Sequence, residues 1–340
     1  MKKLQQHENW IDTVKVFACI LVVLGHFFQS MVKSNILPET HFYEWFNRTI
    51  YYFHVPLFFL CSGYLFQKFA VVRSFYQWKT NFLKKFLSLC VPYLTFSLIT
   101  YLMKILFSGS INNEAGGLLE TLLLHPTSPY WYLYALICIF AITMTVQSRQ
   151  EAVACLVVAL VMKGLALLPM IKVQALGNVL ENEIWFVAGM LISFFGLPAK
   201  AQNIKLRWGV LAGMAFVGVS VLLYCFTAWN AVAAFMMGIF GCGVTVLIVW
   251  QTCHVTAINQ ITSALAKYTF PVFLMHTIFA AGLRSVLLKL GIWNSILQIA
   301  CGIAISFLGP VVAVVIISKV RWLEFLLYPN KFIQIGGRKK

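Results

Sequence analysis

Lys15 and His26 stand eleven residues apart in the stretch NWIDTVKVFACILVVLGHFFQS, Asn9–Ser30, whose other residues are mostly apolar. On a helix, eleven steps of 100° bring two side chains back to within about 20° of one face, roughly 16 Å apart along the axis. Asp12, Cys19 and Gln29 fall on or beside the same face. The stripe therefore offers a carboxylate and an ammonium toward one end and an imidazole toward the other. An ammonium can hold an anionic group as a point charge. An imidazole, which titrates near pH 6.5, can serve as a general base or carry an acyl group.

Four further stretches hold chemistry-bearing residues. YYFHVPLFFLCSGYLF (51–66) places His54 near one end and Ser62, Gly63 and Tyr64 near the other, with Pro56 between. WKTNFLKKFLSLCVPY (78–93) crowds Lys79, Lys84 and Lys85 ahead of Pro92 and Tyr93. SPYWYLYALI (128–137) supplies Trp131, Tyr132 and Tyr134, and KYTFPVFLMHTIFAAGLR (267–284) places His276 after Pro271. Each also has a plainer reading. Asp12 and Lys15 form an i,i+3 pair able to snorkel at an interface, and a membrane histidine often only bonds a neighbouring helix. Pro56 and Gly63 read equally as a kink and a helix contact, the lysines as anchors, and the aromatics as an interfacial belt.

The elements that must position these residues follow from composition. The 340 residues are 61% hydrophobic and 11% charged, with a mean hydropathy of +0.83, whereas soluble domains are about 25% charged. Apolar runs long enough to cross a bilayer of about 30 Å occur at 11–32, 49–68, 88–107, 130–147, 152–170, 184–197, 208–227, 230–250, 268–290 and 295–318, with a tight turn expected near Ala228–Asn230. The expected fold is an all-α polytopic membrane protein, a bundle of about ten transmembrane helices. The first run lacks a small-residue cleavage site and is broken by Lys15, so it reads as a retained span rather than a signal peptide. Placing the N-terminus inside puts 18 of the 26 basic residues on the cytoplasmic side and Glu39, Glu44, Glu114, Glu120, Glu181 and Glu183 outside. Both termini are then cytoplasmic, and the net charge of +16 reflects topology rather than nucleic-acid binding.

The loops are too short for a soluble domain, so residues 1–340 are expected to form a single integral-membrane domain, with a basic cytoplasmic tail at 319–340. The largest loops expected are 33–48 and 108–129 outside and 69–87 inside. Nine cysteines lie mostly within apolar runs without zinc spacing, pointing to neither disulfides nor a metal. Asp12 is the one aspartate, and no glutamate is expected mid-span, which weakens a proton-coupled transporter reading. No GxSxG, HExxH, Walker loop or HxxxxD pair is present.

KVFACILVVLGH resembles the first-span signature of the integral-membrane acyltransferase-3 family, and FHVPLFFLCSGYLF resembles its second-span pattern. LKKFLSLCVPY, YWYLYAL and FPVFLMH sit where that family has a basic loop, an aromatic span start and a late-span histidine. The chain's length is similar to that of the family's stand-alone sugar O-acetylases of bacterial surface polysaccharides, the fucose 4-O-acetylase-like proteins. It departs from the family in carrying Lys15 where an arginine is usual, and Lys cannot make the bidentate fork that Arg offers.

The resemblance implies transfer of an acyl group, most often acetyl, from cytoplasmic acyl-CoA to a hydroxyl of a cell-envelope glycan or lipid-linked sugar, at the bacterial plasma membrane. Acetyl-CoA is then the co-substrate, with the lipid bilayer as surroundings and no nucleic acid or metal involved. His26, Lys15 and Asp12 become the catalytic candidates. His54, Ser62, Tyr64, Lys84, Lys85, Trp131 and His276 become candidates for binding the two substrates. The alternatives are a transporter or flippase, and a ligand-binding membrane module without acyl-transfer activity.

Overall fold

The computed structural model describes residues 8–70, 72–106, 117–168, 171–200, 204–226 and 230–335. Among them all regular structure is helical: α1 (Asn9–Lys33), α2 (His41–Tyr51), α3 (His54–Phe69), α4 (Phe75–Leu106), α5 (Leu118–Leu123), α6 (Trp131–Ile142), α7 (Arg149–Leu165), α8 (Gln174–Phe194), α9 (Leu197–Lys200), α10 (Leu206–Phe226), α11 (Ala231–Thr252), α12 (Thr256–Lys289), α13 (Ser295–Ile317) and α14 (Arg321–Leu327). The described residues hold seven stretches long and apolar enough to cross a membrane: α1, the α2–α3 pair, α4, α10, α11, α12 and α13. Each of the ten expected spans falls on a helix, yet α6, α7 and α8 do not meet that measure.

For α6 and α8 the physical cause is visible. α6 is only 12 residues long, because the chain after it runs extended and is bonded by side chains instead. Gln67 donates from Nε2 to the Val146 carbonyl at 2.7 Å and accepts the Val146 N–H at 2.9 Å. Thr145 Oγ1 accepts from the Val72 N–H at 3.0 Å and donates to the Val72 carbonyl at 3.1 Å. Non-helical backbone is tolerated at membrane depth only when satisfied in this way. α8 starts ten residues before the expected boundary and so takes in Glu181, Asn182 and Glu183. Glu183 was expected in an outer loop; it is buried, 4% exposed, with Oε1 accepting the Thr143 hydroxyl at 2.8 Å.

The inner loop expected at 69–87 is mostly the start of α4, so Lys84 and Lys85 sit on a helix. Pro56, expected to open the backbone, lies in the first turn of α3, where the missing N–H has no intrahelical partner to lose. The break comes just before it, at Tyr52–Phe53. The tail expected from 319 folds back as α14: Leu327 is 1% exposed and packs with Tyr93 and Phe273. The turn expected near Ala228–Asn230 lies largely outside the described residues, although Asn230 caps α11, its Oδ1 accepting the Val232 N–H at 2.8 Å.

α1 and the α2–α3 pair occupy the centre, with 56% and 72% of their apolar windows buried against 17–33% for the other five. Lipid tails offer helices no hydrophobic reason to associate, so close van der Waals fit must do so. The α3–α8 crossing shows how. A Cβ built on Gly63 would lie 1.9 Å from the Phe186 carbonyl oxygen, and one on Gly189 would lie 2.0 Å from that of Leu60. Only glycine permits that approach, as expected for Gly63 from the sequence.

Candidate active site

His26, on α1, lines a cavity of about 190 Å³ together with Gln29 of the same face, His54 and Phe58 of α3, and Trp131 and Tyr132 at the start of α6. Val22, Tyr51, Val55, Ser128, Pro129 and Phe273 complete its wall. The expectation that His54 meets His26 at a common depth is met. His54 is 1% exposed and its Nδ1 lies 2.6 Å from the Ile50 carbonyl, so that nitrogen donates its proton to the backbone. The Tyr51 ring packs edge-on against it, centroids 4.5 Å apart. Nε2 of His54 is thereby left as the acceptor nitrogen.

His276 is held in the same way from the other side. Its Nδ1 lies 3.0 Å and 2.9 Å from the carbonyls of Val272 and Phe273, one turn earlier on α12. Its Nε2 is buried and makes no hydrogen bond among the described residues. The rings of His26 and His276 are 5.4 Å apart, tilted by 35°. Two histidines locked by their own helices thus lie near a third that is partly accessible to the cavity. The locking is local chemistry: a ring N–H satisfied by the i−4 carbonyl fixes both tautomer and orientation.

Tyr132 extends the site inward. Its hydroxyl lies 3.1 Å from Ser62 Oγ and 3.4 Å from the Phe58 carbonyl, and its ring is packed by Phe59 and Phe273 at 4.7 and 5.6 Å. Ser62 therefore touches the cavity through Tyr132 rather than directly. Gln29 is steadied by its bond to Asn47 Oδ1 at 3.2 Å. Sequence reading treats Tyr132 as one aromatic of an interfacial belt and gives no sign of Tyr51, Phe58 or Phe273, since only tertiary packing brings them to the cavity.

Lys15 and Asp12 belong to a second group, roughly 16 Å and 21 Å from His26 along α1. Both lie close enough to Cys61 to act on it electrostatically, and Lys15 acts likewise on Lys85. Lys85 is half-buried, its Nζ 5.1 Å from the centre of the Phe140 ring. Lys84 points outward and is exposed, as is Lys79. Tyr64 is in neither group. Its hydroxyl lies 3.4 Å from Glu8 Oε2 and 3.3 Å from Lys68 Nζ, Lys68 pairs with Glu8, and Trp10 packs edge-on at 4.8 Å. The structure thus gathers His26, His54 and Trp131 around one cavity, sets His276 beside His26, and attaches Ser62 through Tyr132. It sets Lys15, Asp12 and Lys85 apart, and leaves Lys84 and Tyr64 elsewhere. Among the described residues no group of three or more His, Cys, Asp or Glu is placed to hold a metal ion.

Comparison with known proteins places this arrangement. A 132-residue segment is 29% identical to the nodulation protein NolL of Sinorhizobium fredii (strain NBRC 101917 / NGR234), covering 39% of this chain and 34% of that protein, so the chain matches about a third of its relative's length. No solved structure matches. The family model described as an acyltransferase domain matches residues 8–315, nearly the whole chain and both groups of polar residues. The chain belongs to the acyltransferase-3 family.

Proposed function

We propose that this protein transfers an acyl group, acetyl in the first instance, from cytoplasmic acyl-CoA to a hydroxyl of a cell-envelope glycan at the bacterial plasma membrane. The observation that carries the reading is the joining of His26, His54 and Trp131 on one cavity, with His276 behind, in a chain of an acyltransferase family. Acyl-CoA approaches from the side of Lys15 and Lys85, whose charges hold phosphate or pyrophosphate oxygens, while Lys84 steers from the rim. Asp12 orients Lys15. The thioester reaches His26.

The imidazole of His26 takes the proton from the acceptor hydroxyl as the sugar oxygen attacks the thioester carbonyl. The tetrahedral intermediate then expels the CoA sulfur, which leaves with the proton held on the imidazolium, so the base is regenerated. In the covalent variant the unprotonated nitrogen of neutral His26 attacks first and CoA leaves as the thiol with the proton of the other ring nitrogen; the sugar hydroxyl then takes the acyl group and returns its proton to the imidazole. His276 offers its unbonded Nε2 to an N–H of His26 and so holds the attacking nitrogen toward the cavity. The hydroxyl of Tyr132, backed by that of Ser62, donates toward the developing oxyanion. Tyr64 is engaged by Glu8 and Lys68, which leaves it a structural part.

One observation favours a rival. Glu183 is an acid buried within α8, and intramembrane acids are the usual parts of proton-coupled transport. The two readings separate on CoA: an acyltransferase releases free thiol, whereas a transporter moves solute without consuming acyl-CoA. The test is O-acetyl content of purified surface glycan, by NMR, from cells carrying wild type, His26→Ala or no gene at matched membrane levels. Loss of O-acetyl signals in both the deletion and His26→Ala is expected. Equal signals in all three would turn the reading toward transport.

A further inference from the structure

A second cavity, of about 280 Å³, lies beside the histidine cavity and shares Tyr51, Val55 and Trp131 with it as common walls. It forms where the starts of α3, α6 and α11 and the first half of α8 meet the end of α7. Its lining differs in kind from that of its neighbour. Lys163 Nζ donates to Glu181 Oε1 at 3.0 Å, with the Lys163 side chain 14% exposed and that of Glu181 58% exposed. The acid therefore marks the mouth, and the cation lies further in. Asn182, 5% exposed, bonds the Asn178 carbonyl through Nδ2 at 2.9 Å, and its Oδ1 takes no hydrogen bond among the described residues. Trp185 and Phe235, their rings 5.3 Å apart, supply aromatic surface opposite Trp131.

This lining selects a chemical class. An apolar ligand would strip water from Lys163, Glu181 and Asn182 and return no hydrogen bonds, a cost of about 1–3 kcal/mol for each polar group left unsatisfied. An anionic ligand would compete with Glu181 for Lys163. A neutral, hydroxyl-rich ring suits every wall: its C–H face lies on an aromatic ring, and its hydroxyls both donate and accept. The two cavities together are of the size of small-molecule sites, a few hundred Å³, and their shared wall lets one molecule span both.

We propose that the Lys163–Glu181 cavity binds a neutral pyranose unit of the acceptor and presents one of its hydroxyls past Trp131 to His26. The proposal rests on the acyl-transfer reading for its purpose but not for its binding chemistry. The test uses the full-length protein in detergent micelles and a panel of neutral methyl hexopyranosides (gluco, galacto, manno and 6-deoxy), with methyl glucuronide as the charged counterpart. Saturation-transfer NMR reports contact, and release of CoA thiol from acetyl-CoA is followed in parallel.

At least one neutral glycoside should receive saturation from wild type and from His26→Ala, and glucuronide should receive less. Glu181→Gln should weaken the contact about tenfold or more, a loss of about 1.4 kcal/mol. Ala231→Trp, made at an exposed lining position where folding tolerates change, should do the same by filling the cavity. Silence across the neutral panel, or contact unmoved by both variants, overturns the site. A stronger response to glucuronide overturns the neutral assignment. Contact without CoA release in wild type overturns acyl transfer and keeps the sugar site. CoA release dependent on a neutral sugar, with a KM unmoved by either variant, overturns the site and keeps acyl transfer.

Discussion

The histidine cavity and the Lys15–Lys85 group both draw on α1, through His26 and Lys15, yet they are built on opposite principles. Around the cavity the polar atoms are fixed by backbone: His54 is pinned to Ile50 and His276 to Val272 and Phe273, each within its own helix. Around Lys15 the cations are long, flexible and partly exposed, and they sense one another through charge rather than a fixed bond. The contrast suits the two tasks proposed for these groups. Proton and acyl transfer depend on distance and angle, so the rings that do it cannot be free to turn. Holding a polyphosphate depends mainly on charge, which a mobile ammonium supplies nearly as well from several positions. A lysine where the family resemblance leads one to expect arginine is tolerable at the second task and would not be at the first.

The sharpest way to break this comparison is at His26. His26→Ala should lower kcat by about 10²–10⁴, the usual contribution of a positioned acid–base group, while leaving the KM for acyl-CoA unchanged. Steady-state assay of CoA release checks both numbers. A comparable loss of kcat in Lys15→Ala would show that the two ends of α1 share one task. The next effect is at His276. His276→Leu removes the acceptor proposed for the His26 N–H and should cost about tenfold in kcat, one hydrogen bond's worth, again without change in KM. The pH–rate profile should also move, because His26 loses a partner that its imidazolium and imidazole forms engage differently; a profile that keeps its shape at reduced height would reduce His276 to packing.

How much of this was legible in the sequence varies with the distance over which each contact acts. The stripe Asp12–Lys15–His26 was readable because helical periodicity is local, and Gly63 was readable because small residues announce close approach. His26 and His276 lie 250 positions apart, and no local pattern states that they meet. Glu183 was misread for a different reason. A charged residue marks the end of an apolar run, and nothing in the run shows that Thr143, forty residues earlier, will hydrogen-bond it. With Glu183 buried within α8, the chain does hold an acid inside a helix, and composition no longer weakens the transport alternative. Lys84 and Lys85 looked equivalent in a loop; on α4 they are turned 100° apart, and only one faces inward.

That turn supplies the predictions with the smallest effects. Lys15→Ala should raise the KM for acyl-CoA about tenfold, the loss of one charge-assisted contact, and Lys15→Arg should retain most of the affinity if charge is what matters. Lys85→Ala should act in the same direction and to a similar extent, because its half-buried ammonium shares the electrostatic surroundings of Lys15. Lys84→Ala, at an exposed position, should change KM less than about fivefold, and that change should fade with added salt as exposed charges are screened. The pair tests the inner group without touching the cavity: both variants keep the histidines, so kcat should hold at saturating donor. Equal effects at 84 and 85 would mean that acyl-CoA is held by a diffuse basic rim. A fall in kcat at Lys85 instead would mean that the inner cations reach the thioester carbonyl, and the two groups on α1 would then act as one.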